Sequence, residues 1–184
     1  TNGGNQMNVQ EFGHCKDLKQ FYNEIREFYR SHYKDEFLRY YDTLQKLAGE
    51  CKSYRELGVM QGGSAAAVLS GNSNIKAELI DRSFQHLNNH KHVFEGYNVS
   101  FVESDSLTCP VNECEMTLID SMHHYKHVNK EIRRYENSVS KYLVFHDSNY
   151  HEIKRAIDEC VARGKFKMNI LDNKSYGYCV LERR

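Results

Sequence analysis

Residues 54–81 read YRELGVMQGGSAAAVLSGNSNIKAELID. The apolar run at 54–59 predicts a short strand, 60–64 a glycine-containing turn, the small residues at 65–70 a helix, and 77–80 a second strand that stops at Asp81. Gly62 and Gly63 let backbone N–H groups approach a ligand at the start of that helix, where unpaired N–H groups and the helix dipole favour negative charge. Asp81 lies roughly 20 residues beyond the turn, where a Rossmann-type unit presents a carboxylate to ribose hydroxyls. These features point to a nucleoside-containing cofactor; a plain strand-to-helix turn without a ligand is the competing reading.

Downstream, the pattern predicts a helix at 84–90 and a third strand at 99–102 ending in Glu103-Ser104-Asp105-Ser106. A fourth strand at 115–119 ends at Asp120, a helix follows at 126–136, and a fifth strand at 141–145 ends in His146-Asp147. The helix at 150–163 closes at Gly164, which reads as its C-cap. The alternation of strand and helix implies a doubly wound, mostly parallel α/β sheet of the Rossmann-like kind, covered on both faces. The end differs: strand-like runs at 166–171 and 176–182 flank Asp172-Asn173-Lys174-Ser175, a turn signal that predicts an antiparallel hairpin.

Upstream, 1–8 is a Gly/Asn-rich leader, read as mobile. From 9 to 47, aromatic and aliphatic residues recur at helical spacing, notably Leu18, Phe21, Tyr22, Ile25, Phe28 and Tyr29, then Phe37, Leu38, Tyr41, Leu44 and Leu47. The chain therefore divides into a leader and helical arm, 1–50, and a sheet domain, 51–184. The arm has three open roles: a cover for the sheet, a lid over a substrate, or a surface for a homodimer.

At 184 residues the chain is long enough for one well-buried core. Lys+Arg and Asp+Glu are each 25, so no global field draws it to nucleic acid or an anionic membrane. No apolar run approaches the ~20 residues of a membrane span, and no signal-peptide pattern opens the sequence, which points to a soluble cytoplasmic protein. The six cysteines are scattered without a C-x-x-C pair, as expected for free thiols. Lys126, Lys130, Arg133 and Arg134 alternate with Glu131 and Glu136 and read as a solvated helix face; His32, His86, His90 and His92 read as surface residues.

The chemistry gathers at the strand ends, where Glu56, Asp81, Asp105, Asp120 and Asp147 stand with His123, His124 and His146 beside them. Ligands of open parallel sheets collect at the carboxyl ends of strands, and folding alone does not demand an acid at every one. The turn does not fit the dinucleotide pattern G-x-G-x-x-G, because Val59, Met60 and Gln61 separate Gly58 from the next glycines. An acid, one residue, then glycines resembles instead the first motif of class I S-adenosylmethionine-dependent methyltransferases, which also carry a terminal antiparallel hairpin. Over about 54–182 the sequence is similar to small methyltransferases related to cephalosporin hydroxylase and to macrolide and aminocoumarin sugar O-methyltransferases. The similarity rests on ELGVMQGGS at 56–64, IDSMHHY at 119–125 and FHD at 145–147.

That resemblance implies methyl transfer from S-adenosylmethionine to a hydroxyl of a small molecule or sugar. Glu56, Gly58, Gly62, Gly63 and Ser64 would line the methionine end of the cofactor, Asp81 would hold the ribose, and Asp105 with Ser106 would face the adenine. His123 is the expected base, with Asp120 beside it. Asp120 and Asp147 match positions that hold magnesium in metal-dependent relatives, whereas His146 stands where several of them carry a second acid and so tilts the site toward a softer divalent ion. A second reading is a non-catalytic nucleotide- or partner-binding module, and a third a nucleic-acid methyltransferase. Asp120-Ser121-Met122-His123 lacks the Asn/Asp-Pro-Pro-aromatic segment common in base methyltransferases.

Overall fold

The computed structural model describes residues 11–33 and 35–184; the leader at 1–8 lies outside the described residues. The arm forms two helices, α1 (Leu18–Tyr33) and α2 (Glu36–Ala48). Next come β1 (Ser53–Leu57), α3 (Gly63–Gly71) and β2 (Lys76–Asp81), then a 3-10 segment at Asn88–Phe94 and β3 (Val99–Glu103). The remainder is β4 (Cys114–Ile119), α4 (Tyr125–Tyr135), β5 (Val139–His146), α5 (His151–Ala162), β6 (Phe166–Asp172) and β7 (Tyr178–Arg183).

The seven strands form one sheet in the order β3-β2-β1-β4-β5-β7-β6. The first five are parallel, while β7 runs antiparallel to both β5 and β6. The doubly wound sheet with a terminal hairpin is thus as the sequence predicts. From β1 the chain builds outward through β2 to β3, returns, and builds the other way from β4. The reversal between β1 and β4 opens a crevice at their carboxyl ends, the usual ligand position in such sheets.

Side-chain alternation assigns each strand residue to one of two cores. Tyr54, Ala77, Leu79, Met116, Leu118 and Val144 face a core shared with α1, α2 and α3. Leu57, Ile80, Ile119, Leu143 and Phe145 face the other, closed by Val128 and Ile132 of α4 and Ile153 and Ile157 of α5. The arm belongs to the first core through Leu18, Phe21, Ile25, Tyr41 and Leu44. It sits close because α3 carries Ala65, Ala66 and Ala67, all fully buried, and because a Cβ on Gly71 would lie 2.4 Å from the Gln45 carbonyl oxygen.

Two local expectations need correction. β1 stops at Leu57 because Gly58 turns to φ +86°, and α3 starts at Gly63. The helix expected at 84–90 is a later 3-10 segment, broken at His90, where φ is −134° and ψ 16°. No helix joins β3 to β4: Asp105 accepts the Leu107 N–H at 2.9 Å to close a turn, and Pro110, lacking an N–H, cannot extend it.

Candidate active site

Between β1 and α3 the backbone makes a turn few sequences tolerate. Gly58 has φ +86°, Met60 +48° and Gly62 +79°. Met60 is strained there, and Asp81 holds it: one carboxylate oxygen accepts the N–H groups of Val59 at 2.7 Å and Met60 at 3.1 Å. The other accepts the Ser83 N–H at 3.1 Å and has lone-pair capacity left for a ligand hydroxyl. The glycines answer mainly to protein neighbours. A Cβ at Gly58 would lie 2.3 Å from the Asp120 carbonyl oxygen, at Gly63 2.2 Å from the Tyr41 hydroxyl, and at Gly62 2.9 Å from Leu87.

The turn forms one wall of a cleft of about 680 Å³ at the carboxyl edge of the sheet. Of the residues singled out in the sequence, Glu56, Gly58, Gly63, Ser64, Asp81, Ser106, Asp120, His123, His146 and Asp147 all line it. Gly62 and Asp105 do not: Gly62 caps α3 against the core, and Asp105 pairs with Arg82 at 3.0 Å while holding its own turn. The Leu107 N–H and Arg82 pull the Asp105 carboxyl below its ordinary pKa.

Glu56 lies at the base, 2 % exposed, and accepts the Tyr54 hydroxyl at 2.8 Å. Burial raises its pKa well above the carboxylate range; the Tyr54 bond opposes this, and Asp120 and Asp81 add to it. A cationic group beside Glu56 would relieve that penalty.

Beyond β3 and β4, Ser106 and Ser121 converge on one acid, Glu131, which is fully buried. Ser106 donates to it, Ser121 donates at 2.7 Å, and His127 pairs with it at 3.2 Å, its pKa raised by that contact. Glu131 is therefore no part of a solvated face, although Lys126, Lys130, Arg133 and Arg134 are exposed as expected. Its spacing gives it away, three residues after Val128 and four before Tyr135 on the apolar stripe of α4. His86 lines the cleft and His90 is buried with Nε2 2.8 Å from the Gln61 carbonyl oxygen, so neither is the surface residue expected.

At the ends of β4 and β5, two acids and two histidines interlock. His123 Nε2 lies 2.9 Å from Asp147 and 4.0 Å from Asp120; His146 Nδ1 lies 3.2 Å from Asp147 and 3.7 Å from Asp120. Asp120 and Asp147 raise His123 to a pKa of about 10. Burial alone would lower His146, but the same two acids outweigh it and bring it to about 10. Asp147 is driven the other way: burial favours its neutral form, yet the two imidazoles hold the carboxyl below its ordinary range. Both acids favour the protonated imidazole of His123, a hydrogen-bond donor, where the sequence reading expects a base. Asp120, His146 and Asp147 also bring one ligand atom each within 4.8 Å of one another, a one-nitrogen, two-oxygen set that suits a transition ion better than magnesium.

The arm completes the cleft. Phe37 and Tyr40 place their rings 5.0 and 4.7 Å from that of His146, and Tyr29, Phe37 and Tyr41 line the wall. Aromatic periodicity alone could not distinguish this role from plain cover. Met122, Tyr150 and Tyr176 on the rim also escaped the sequence reading; the only cue was that Met122 and Tyr150 closely follow the fourth and fifth strands.

No family model matches the chain, and no curated protein is matched. Solved structures are. A Staphylococcus aureus protein assigned as a caffeoyl-CoA O-methyltransferase superposes with a TM-score of 0.72 over 89 % of this chain and 92 % of its own, at 15 % identity. This is the methyltransferase fold. A Podospora anserina methyltransferase bound to S-adenosylhomocysteine (SAH) shares it at TM-score 0.66 and 12 % identity, covering 92 % of this chain and 88 % of its own. A Bacillus cereus O-methyltransferase, also with SAH, shares it at 0.63 and 14 %, covering 79 % and 81 %. In the methyltransferase fold of this chain, the acid cluster and the turn held by Asp81 face one cleft. Among the described residues, no helix is long and apolar enough to cross a membrane.

Proposed function

We propose that this protein is an S-adenosylmethionine-dependent O-methyltransferase acting on a small-molecule hydroxyl. The observation that carries the reading is convergence: Glu56, Asp81, Asp120 and Asp147, from four adjacent strand ends, line one cleft of a fold shared with SAH-bound methyltransferases. Bound there, S-adenosylmethionine supplies a methyl carbon made electrophilic by its sulfonium. Glu56 faces the cofactor's ammonium, Asp81 accepts a ribose hydroxyl on its less occupied oxygen, and Ser106 and His127, braced by Glu131, border the adenine.

The acceptor oxygen forms a bond to the methyl carbon as the C–S bond breaks, with its electron pair passing to sulfur. The acceptor's O–H becomes strongly acidic as its oxygen is alkylated, so a carboxylate suffices as base, and Asp120 takes the proton. His123, held on Asp147, donates a hydrogen bond that orients the acceptor. A divalent ion at Asp120, His146 and Asp147 would lower the acceptor's pKa before attack, and the imidazole donor favours manganese or zinc over magnesium.

The test is SAH release from S-adenosylmethionine across a panel of phenols, sugars and aliphatic alcohols, in EDTA and with added manganese or magnesium. Acceptor-dependent turnover that falls about 100-fold or more in Asp120→Asn supports the proposal. Absence of turnover in every arm, with SAH bound nonetheless, would favour the non-catalytic nucleotide-binding module.

A further inference from the structure

Outside the cleft, a second set of metal-type donors gathers where the chain enters α1. His14 and Cys15 precede the helix, and Glu24 lies in its second turn. Among the described residues, two groups of such side chains bring one ligand atom each within 4.8 Å of one another: Asp120, His146 and Asp147 in the cleft, and His14, Cys15 and Glu24 here. None of the second group lines the cleft.

The three donor atoms converge on one nitrogen. Glu24 Oε2 lies 2.6 Å from His14 Nε2, and Cys15 Sγ lies 4.0 Å from it. A tetrahedral ion with ligand bonds of ~2.0–2.3 Å holds its donors about 3–4 Å apart. The sulfur already stands at that range, and the His14 side chain, 58 % exposed, has room to open the shorter gap. A thiol, an imidazole and a carboxylate together suit a borderline-soft ion, whereas magnesium and calcium take oxygen shells.

The donors are also braced from outside. The Cys15 N–H donates to the Phe12 carbonyl at 2.9 Å, and the Cys15 carbonyl accepts His92 Nε2–H at 2.7 Å, which fixes the backbone on both sides of the buried thiol. Gln20 donates to Glu24 Oε1 at 2.9 Å while its own Oε1 accepts the Lys16 N–H at 3.0 Å, leaving Glu24 Oε2 turned to His14. Partners of this kind orient ligands before a metal arrives.

We infer that His14, Cys15 and Glu24 form a second, structural metal site for zinc or a similar borderline-soft divalent ion, with water in the fourth position. The Cys15 thiol gives its proton to solvent as the metal–sulfur bond forms. The ion fastens the segment ahead of α1 to that helix. Through His92 it also steadies the 3-10 segment, whose His90 meets the Gln61 carbonyl of the turn after β1 at 2.8 Å. This site stands whether or not the methyl-transfer reading holds.

The test is titration of the metal-free whole chain with cobalt(II), which takes the place of zinc and reports thiolate ligation by a sulfur-to-metal charge-transfer band. The set at Asp120, His146 and Asp147 has no sulfur, so an ion bound there is silent in that band. One equivalent of cobalt is expected to develop the band, zinc to abolish it and magnesium to leave it unchanged. Cys15→Ser is expected to lack the band, and His14→Ala/Glu24→Gln to weaken cobalt binding about tenfold or more. Cys15 is buried, so the second variant, which alters partly exposed side chains, decides the matter if Cys15→Ser unfolds. Absence of the band in the folded wild type at millimolar cobalt overturns the inference. So does a band that survives in Cys15→Ser, or equal cobalt affinity in His14→Ala/Glu24→Gln.

Discussion

Glu56 costs stability where it stands. Its carboxyl is buried, and its pKa lies well above the carboxylate range. A group whose folded pKa is raised contributes stability below its unfolded pKa and loses it as pH rises through the folded value. The wild type is therefore expected to lose thermal stability from acidic to alkaline pH, and Glu56→Gln to lose less, measured by thermal denaturation across that range. On the proposed cofactor placement, the same variant forfeits the partner of the ammonium, a charge-assisted hydrogen bond whose loss is expected to weaken SAH binding by about 10- to 100-fold. A stability gain at high pH together with an affinity loss is the signature sought; equal SAH affinity in the two proteins would remove Glu56 from the site. The position of Glu56 was legible in the spacing Glu56, Gly58, Gly62, Gly63, which sets a carboxylate at the carboxyl end of a strand just before a glycine turn, where ligands of such sheets gather. Glu131 was legible too, through its place on the apolar stripe between Val128 and Tyr135, but charge alternation along the helix drew the reading to a solvated face.

The elements follow from their periods. Strands and most helices stood out because β2 and β4 alternate apolar with polar residues up to a final apolar pair, β5 carries a continuous apolar run at 142–145, and apolar residues recur at three- and four-residue steps in α1, α2 and α5. The segment between β2 and β3 misled, since Leu87, His90, Val93 and Phe94 are buried at spacings that a 3-10 turn and an α-helix share. The arm was legible as helix but not as cleft wall, because the contacts of Phe37 and Tyr40 with His146 join residues more than a hundred positions apart. Its docking rests on Leu44, which is fully buried in the core shared with α3. Leu44→Ala leaves a cavity and is expected to cost about 2–5 kcal/mol in urea denaturation. SAH affinity should fall with it, because Tyr29 and Tyr41 reach the cleft only while the arm is seated; unchanged affinity in a folded variant would reduce the arm to cover.

Across the whole molecule, the cleft is where the arm, the switch point of the sheet and the terminal hairpin meet. Arg39 of α2 pairs with Asp172 at the end of β6 at 2.7 Å, and Thr43 meets the Tyr178 hydroxyl at 2.9 Å, so the two ends of the chain close on each other beside the site. Asp81 links the parts most directly, because its carboxylate both holds the strained turn and faces the cleft. Calorimetric titration of the protein with SAH, beside Asp81→Ala, is therefore the most direct measurement. One site per chain with micromolar affinity, lost in Asp81→Ala, is the expected result. No heat from the folded wild type at any concentration up to the solubility of SAH would contradict a cofactor site at this cleft.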